Sequence, residues 1–481
     1  MQINDEKELP MGNSTSETEE GDTLFREIHA LFNPRSVAVV GVPTGLKMGR
    51  LFLMALLDQG FPGPLYPVHP EAKEIDGLRA YPSVSAIPGE VDLAIVLVPQ
   101  HLTLPVVREC AARGVKGAIL FTAGYKETQT ADGAAMEKEL VRTARTSGMR
   151  LIGPNCMGLY VPKAGLSFFP QLARKPGPVG IISHSGSLAS TVCRMGPERG
   201  LYFSKAVSLG NECDLTAADF LHYLGRDPDT GVIGIYLEGI REGGRFLAAL
   251  REASIVKPVI LWKVGLTEEG CLAAASHTGA MGGSRTIWES VVRQGGAVAV
   301  TGFEEWVDTL TGFALLPAGV GERIGVISGP GGIAVSAAEA CGKEGLRLAA
   351  LSPDTVDCLA SFLPPTGTSP RNPVDVGLSS SLIIDYYIRA AEAVAADPGV
   401  DTVLICGIGA TPEINQTYAD AMIRIRRESG KPFLVLNFYG LDPAIPRQLL
   451  NAGIPVFESA ERALATCARV IRYRRWRHAH S

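Results

Sequence analysis

The chain has 481 residues, too many for one hydrophobic core, and at roughly 150 residues per domain its length predicts about three. Apolar residues make up 46% and aromatics only 7%, with 54 glycines and 32 prolines, a mix common in α/β chains with many Gly-rich turns. A net charge of −5 supplies no basic excess for nucleic acid or an anionic membrane, and no apolar run approaches the ~20 residues of a membrane span.

Nine scattered cysteines without a C-x-x-C point to reduced thiols and a cytoplasmic setting. Residues 1–22, MQINDEKELPMGNSTSETEEGD, are acidic and polar, the opposite of a signal peptide, and are expected to form a disordered tail.

The first unit is expected over residues 23–160. SVAVVG (36–41) is an apolar, β-branched run ending in glycine, and reads as a buried parallel strand entering the turn GVPTGLKMGR and the helix LFLMALLDQG. Further strands at LYPV, DLAIVLVP, GAILF and MRLIG alternate with helices, the pattern of a doubly wound sheet. The turn carries Gly41, Gly45 and Gly49 rather than G-x-G-x-x-G, and the second strand ends Val68, His69, Pro70 with no acid for ribose hydroxyls. That argues against NAD. A nucleotide with a phosphorylated ribose, such as coenzyme A, needs no such acid.

The second unit, 175–316, follows the linker ARKPGPVG. The strand VGIIS runs into Ser185, Gly186 and Ser187 and then a helix, so free N–H groups and hydroxyls gather at a helix N-terminus, an anion site by geometry. Ser185 as a hydrolase nucleophile lacks the G-x-S-x-G context. Glu238 closes the strand GVIGIYLEG at the carboxyl edge, where it either orients an imidazole through one ring nitrogen or is simply a strand-end acid in water. The stretch AAASHTGAMGG (273–283) sets His277 among small residues, and predicts a tight loop open to a bulky anion. His277 there is a nucleophile, a general base, a metal ligand or a loop histidine without a role. Neither H-E-x-x-H nor paired cysteines lie nearby, so no metal is expected.

The third unit, 320–476, repeats the plan at RIGVISGPGGIAVSAAEACGKEG, with strands at DTVLICGIG, PFLVLNFYG and IPVFES and an extended loop at FLPPTGTSPRNPVDV. It offers no candidate nucleophile and is expected to serve a domain or subunit contact. The basic run RVIRYRRWRH (469–478) reads as a solvated terminal helix, its cations favoured at the helix C-terminus.

With YPSVSAIPGEVDLAIVLVP, FTAGYKE, GPNCMGL, SLGNECDL, YLEGI and SHTGAMGGS in this order, the chain resembles the α subunits of the NDP-forming acyl-CoA synthetases, the ADP-forming acetate–CoA ligase branch of the succinyl-CoA synthetase superfamily. The resemblance implies a Rossmann-like CoA-binding domain followed by two flavodoxin-like succinyl-CoA-synthetase-type domains. It implies that His277 becomes phosphorylated, that Glu238 orients it, and that Ser185, Gly186, Ser187 and Gly279 hold the phosphate. Coenzyme A would lie along Gly41, Val42, Pro43, Lys47, Val68, Val98, Pro99, Thr122, Ala123 and Gly124, with Asn155 and Cys156 near the thioester. The implied reaction converts acid, CoA and NTP reversibly to acyl-CoA, NDP and phosphate.

No Walker A or nucleotide-grasping segment is visible, so the resemblance also implies an ATP-grasp β subunit carrying ATP/ADP with Mg, in an α2β2 assembly. Several positions depart from the family pattern. His69 and Glu71 stand where asparagine and lysine are usual, with Lys73 or Lys47 as substitutes, and His184 replaces glutamine as a second histidine near the phosphate. The alternative is a CoA-binding regulatory or scaffold protein of the same fold without turnover. The implied substrate is a small carboxylic acid or its acyl-CoA, and the choice of nucleotide belongs to the β subunit.

Overall fold

The computed structural model describes residues 14–278, 283–407, 410–437 and 443–480. Helix α1 (Ser14–Phe32) leads into β1 (Val37–Val40), α2 (Met48–Gln59), β2 (Leu65–Val68), the short hairpin β3 (Glu74–Ile75) and β4 (Leu78–Arg79), β5 (Leu93–Val96), α3 (Gln100–Ala112), β6 (Gly117–Leu120), α4 (Ala131–Thr146) and β7 (Arg150–Ile152). The sheet has the order β2-β1-β5-β6-β7 and is parallel throughout. Every residue of β1 is buried, as expected for a strand covered by helices on both faces.

The second unit contains β8 (Gly158–Tyr160), β9 (Val179–Ser183), α5 (Gly186–Met195), β10 (Phe203–Ser208), α6 (Ala217–Arg226), β11 (Val232–Leu237), α7 (Gly243–Val256), β12 (Val259–Lys263), α8 (Glu268–Thr278), α9 (Arg285–Gly295), β13 (Val298–Val300) and α10 (Phe303–Leu315). Its order is β13-β12-β11-β9-β10-β8, with β8 antiparallel to β10. The third unit adds β14 (Arg323–Ser328), α11 (Gly331–Lys343), β15 (Arg347–Leu348), α12 (Pro353–Ala360), β16 (Val374–Asp375), α13 (Asp385–Ala396), β17 (Thr402–Cys406), α14 (Pro412–Ser429), β18 (Phe433–Leu436), α15 (Ala444–Asn451), β19 (Val456–Phe457) and α16 (Ala460–His480). It is a parallel sheet of order β15-β14-β17-β18-β19, with β16 also on β14.

Four expectations are corrected. Residues 14–22 of the expected tail are helical, because α1 begins at Ser14; residues 1–13 lie outside the described residues. Farther along, α1 lays Phe25 on Tyr223 and Phe32 on Phe220 of α6, so its apolar stripe is covered by the second unit. The first unit does not end at 160, since β8 pairs into the second sheet. The expected linker ARKPGPVG is tied down: the Tyr160 hydroxyl donates to the Ala173 carbonyl, the Gly177 N–H donates to the Phe203 carbonyl at 3.1 Å, and Val179 and Gly180 already belong to β9.

Finally, α16 is not simply solvated. It buries Leu464, Cys467, Val470 and Ile471, while Arg462 pairs with Asp308 and the Tyr473 hydroxyl donates to the Ser254 carbonyl at 2.8 Å. The helix starts in the third unit and closes on the second.

Candidate functional site

The carboxyl ends of β5 and β6, the turn after β7 and the start of α5 converge. Leu97, Val98, Pro99, Phe121, Thr122, Ala123, Asn155, Cys156, Met157, His184, Ser185, Gly186, Ser187 and Gly210 enclose a cleft of about 530 Å³. Six residues expected along coenzyme A and three expected at the phosphate therefore line one cavity, at the edge where doubly wound sheets place ligands.

Local geometry explains the convergence. Gly41 has φ +87°, and a Cβ there would stand 2.8 Å from Val98 Cγ1, so only glycine lets the first turn lie against the cleft wall. Thr122 Oγ1 donates to the Val98 carbonyl at 2.5 Å, and the Asn155 N–H donates to the Thr122 carbonyl at 3.1 Å. The Asn211 N–H donates to the Pro154 carbonyl at 2.9 Å and Cys213 N–H to Gly153 at 2.9 Å, which ties the turn after β7 to the loop after β10.

Ser185 is the N-cap of α5, accepting from the Leu188 N–H at 3.3 Å, and its hydroxyl lies 3.0 Å from that of Ser187. First-turn N–H groups have no intrahelical acceptor, and the helix dipole adds partial positive charge, so this start suits an anion.

His184 sits beside it, buried. The Glu238 N–H donates to His184 Nδ1 at 3.1 Å, and Nε2 faces Glu212 Oε2 at 3.3 Å. With Nδ1 accepting, the ring proton belongs on Nε2. Neither nitrogen then offers a lone pair to the cleft, so His184 is not a second phosphoryl acceptor. Burial pushes the Glu212 carboxyl up, but His184, the Ala217 N–H and Arg241 outweigh it and hold the group below the usual carboxylate range.

Glu238 is buried rather than a strand-end acid in water, and the Tyr236 hydroxyl donates to its Oε1 at 3.3 Å. Lys263, also buried, donates from Nζ to the Glu238 carbonyl at 3.0 Å; burial lowers its pKa. The expected small-residue loop begins later than predicted, because residues 273–278 belong to the last turns of α8. Alanines at 273, 274 and 275 favour the helix and carry it through His277. The His277 side chain and Gly279 lie outside the described residues.

Cys156 is buried and its thiol is pushed up to about 12, so it is no nucleophile near neutral pH. Val42 and Val68 are buried behind the cleft wall, with the Gly41 N–H donating to the Val68 carbonyl at 2.9 Å. Gly124 (φ +114°) lies against Gln100, which donates to its carbonyl. Pro43 packs under Gly49, and Lys47, exposed, is the N-cap of α2. None of Gly41, Val42, Pro43, Lys47, Val68, Gly124 and Glu238 lines the cavity itself. His69 has a local role, its Nδ1 accepting from the Glu71 and Ala72 N–H groups at 3.1 and 2.9 Å; Glu71 and Lys73 are exposed.

Sequence reasoning did not assign Met157, Gly210, Asn211, Glu212, Lys263 or Arg241. The motif SLGNECDL contained three of them, but a buried pairing between distant carboxylates and cations has no sequence signature.

Comparison with known proteins matches residues 35–162 to a CoA binding domain and 176–313 to a succinyl-CoA ligase like flavodoxin domain. The α subunit of acetate–CoA ligase (ADP-forming) II from Pyrococcus furiosus is 38% identical over 89% of this chain and 94% of its own. The corresponding subunit of ligase I from the same organism is 33% identical over 94% and 99%. A solved dinucleotide-forming acetyl-coenzyme A synthetase 1 from Ca. Korarchaeum cryptofilum, in complex with phosphate and ADP, superposes with a TM-score of 0.84 at 34% identity, over 94% of this chain and 97% of that one.

Proposed function

The chain belongs to the α subunits of the ADP-forming acyl-CoA ligases, and from that premise we propose that its cleft carries the acyl and phosphoryl transfer steps of the reversible conversion of acid, CoA and NTP to acyl-CoA, NDP and phosphate. The observation that carries the reading is the meeting of the coenzyme-side loops and the start of α5 in one cavity.

Coenzyme A supplies a thiol that leaves as the acyl group passes to phosphate. Val98, Pro99, Thr122 and Ala123 fit its chain: they are small or apolar, at a strand edge, beside the close approach of Gly41. The amides of Gly186 and Ser187 and the two serine hydroxyls would hold phosphate and the charge that develops on it. His277, at the end of α8, accepts the phosphoryl group from the acyl phosphate on a neutral ring nitrogen, and the carboxylate departs. Glu238 takes the hydrogen bond from the opposite ring nitrogen and keeps the attacking one unprotonated. Gly279 completes the phosphate contacts.

The phosphoryl group then passes to NDP. We assign that step to an ATP-grasp β subunit, with Mg, in an α2β2 assembly, and the reduced thiols fit a cytoplasmic setting. The third unit serves as a domain or subunit contact. The acid is a small carboxylic acid.

The test is to incubate the chain with its β subunit and γ-labelled ATP. Acid-labile, base-stable label on the wild type, absent from His277→Ala at unchanged thermal stability, is the expected result. A labelled or active His277→Ala removes the assignment. No label on the wild type would favour a CoA-binding regulator without turnover.

A further inference from the structure

A chain of polar contacts runs behind the cleft from the first unit to the end of β11. The Gly124 N–H donates to Glu127 Oε1, and Asn211 Nδ2 donates both to Glu127 Oε2 and, at 3.0 Å, to Glu137 Oε2. Arg241 spans the next gap, from Nη2 to Glu137 Oε1 at 3.1 Å and from Nη1 to the Glu212 carbonyl at 2.9 Å. Glu212 then faces His184, and His184 accepts from the Glu238 N–H. Glu137, Asn211, Glu212 and His184 are each 5–6% exposed.

Three carboxylates thus gather around one guanidinium, one amide and one imidazole. Such a set is a poor way to gain stability, because desolvating charges offsets most of their attraction and apolar packing of similar volume does as well or better. It does fix geometry, since each group accepts only one arrangement of its neighbours. Arg241 reaches the first unit beside Asn211 and ties that contact back to the second: its partner Glu137 belongs to α4 of the first unit and Glu212 to the loop after β10 of the second.

We propose that Arg241 and His184 are positioning residues that hold the coenzyme-side loop at Gly124 in register with Glu238. The inference rests on the reading that both loops serve one reaction. Transfer between groups on separate domains tolerates misplacement of only about 0.5 Å, which a flexible hinge would exceed. Neither residue is asked to touch the reacting atoms.

The test compares the wild-type full chain with Arg241→Met and Arg241→Lys by amide hydrogen exchange resolved near residues 124–125 and 238, and by calorimetric titration with CoA. Kinetics with the β subunit complete the comparison. Losing a charge-assisted hydrogen bond is expected to speed exchange about tenfold at both distant segments and to weaken CoA about as much, with KM for CoA rising and kcat falling together. Arg241→Lys, which keeps the charge, should recover part of both. Glu137→Gln, nearly the same shape but with an N–H₂ facing a donor, supplies the same comparison should Arg241→Met not fold. Faster exchange confined to residues next to 241, with CoA affinity within about twofold of wild type, overturns the proposal. A wild type that binds no CoA would defeat the functional reading instead, and the exchange data would still decide the link between the two segments.

Discussion

Ser187 offers a sharp test of the anion cradle, because one substitution moves stability and ligand response in opposite directions. It is the second residue of α5 and exposed, and among the described residues its hydroxyl meets that of Ser185 at 3.0 Å. In Ser187→Asp a carboxylate stands where phosphate is proposed to bind. A negative charge in the first turn of a helix stabilises by about 0.3–1 kcal/mol, so the free protein should become slightly more stable. Phosphate should be repelled. Two unit charges 4 Å apart interact by about 1 kcal/mol even at the dielectric of water, and a dianion doubles this to about 2 kcal/mol, or roughly 30-fold in affinity. Phosphate at about 100 times its wild-type Kd stabilises the native state by about 2.7 kcal/mol, and after a 30-fold loss the same concentration gives only about 0.9 kcal/mol. Denaturant melts with and without phosphate measure both effects. An undiminished phosphate response in Ser187→Asp would mean that the anion does not sit at this helix start, and the cleft would lose its phosphoryl chemistry.

Three further outcomes are expected. Gly210 has φ +57° and a Cβ there would lie 2.1 Å from the Pro154 carbonyl oxygen, a backbone atom that cannot give way, so Gly210→Ala should lower stability by about 3 kcal/mol or more in a denaturant melt; a loss below about 1 kcal/mol would mean the two loops are not pressed together. Burial raises the Asp214 carboxyl, but Arg150, the Leu151 N–H and Arg145 outweigh it and leave its pKa below the ordinary value. Its contribution is therefore complete above the unfolded value near 4 and is lost as pH falls through the lower folded value. Arg150→Met should weaken the fold by about 3–5 kcal/mol and shift the acid-unfolding midpoint followed by circular dichroism to higher pH; a midpoint that moves down contradicts the pairing. Iodoacetamide at pH 8 should leave buried Cys156 unmodified for as long as the fold persists while exposed Cys358 reacts, as peptide mass mapping will show; early alkylation of Cys156 would contradict its raised pKa.

Much of the scaffold is legible in the chain because parallel strands covered on both faces must be continuous apolar runs: VAVV, LAIV, VGIIS and TVLIC all appear as strands. The helix start at SHSGS is legible for a related reason, since a serine N-cap after such a run leaves its mark locally. Elements whose partners are remote are not. β8 is three residues long and takes its identity from β10, some forty residues on. In α1 the acidic residues mask the spacing of Phe25, Ile28 and Phe32, and in α16 the arginines that suggested solvent find acids instead, Arg469 with Glu305 of α10, Arg472 with Glu344 and Arg475 with Glu322. Arg241 escaped notice because its value lies in what it spans, and distance across a fold is invisible in a string.

The contact between α1 and α6 bears on how the chain is made. His29 meets Tyr223, its partner 194 positions later, so at about 5–20 residues per second the ribosome needs roughly 10–40 s to deliver the cover for that greasy stripe. Until then Phe25 and Phe32 face whatever is nearby, and a chaperone gripping the nascent chain has its most natural handle there.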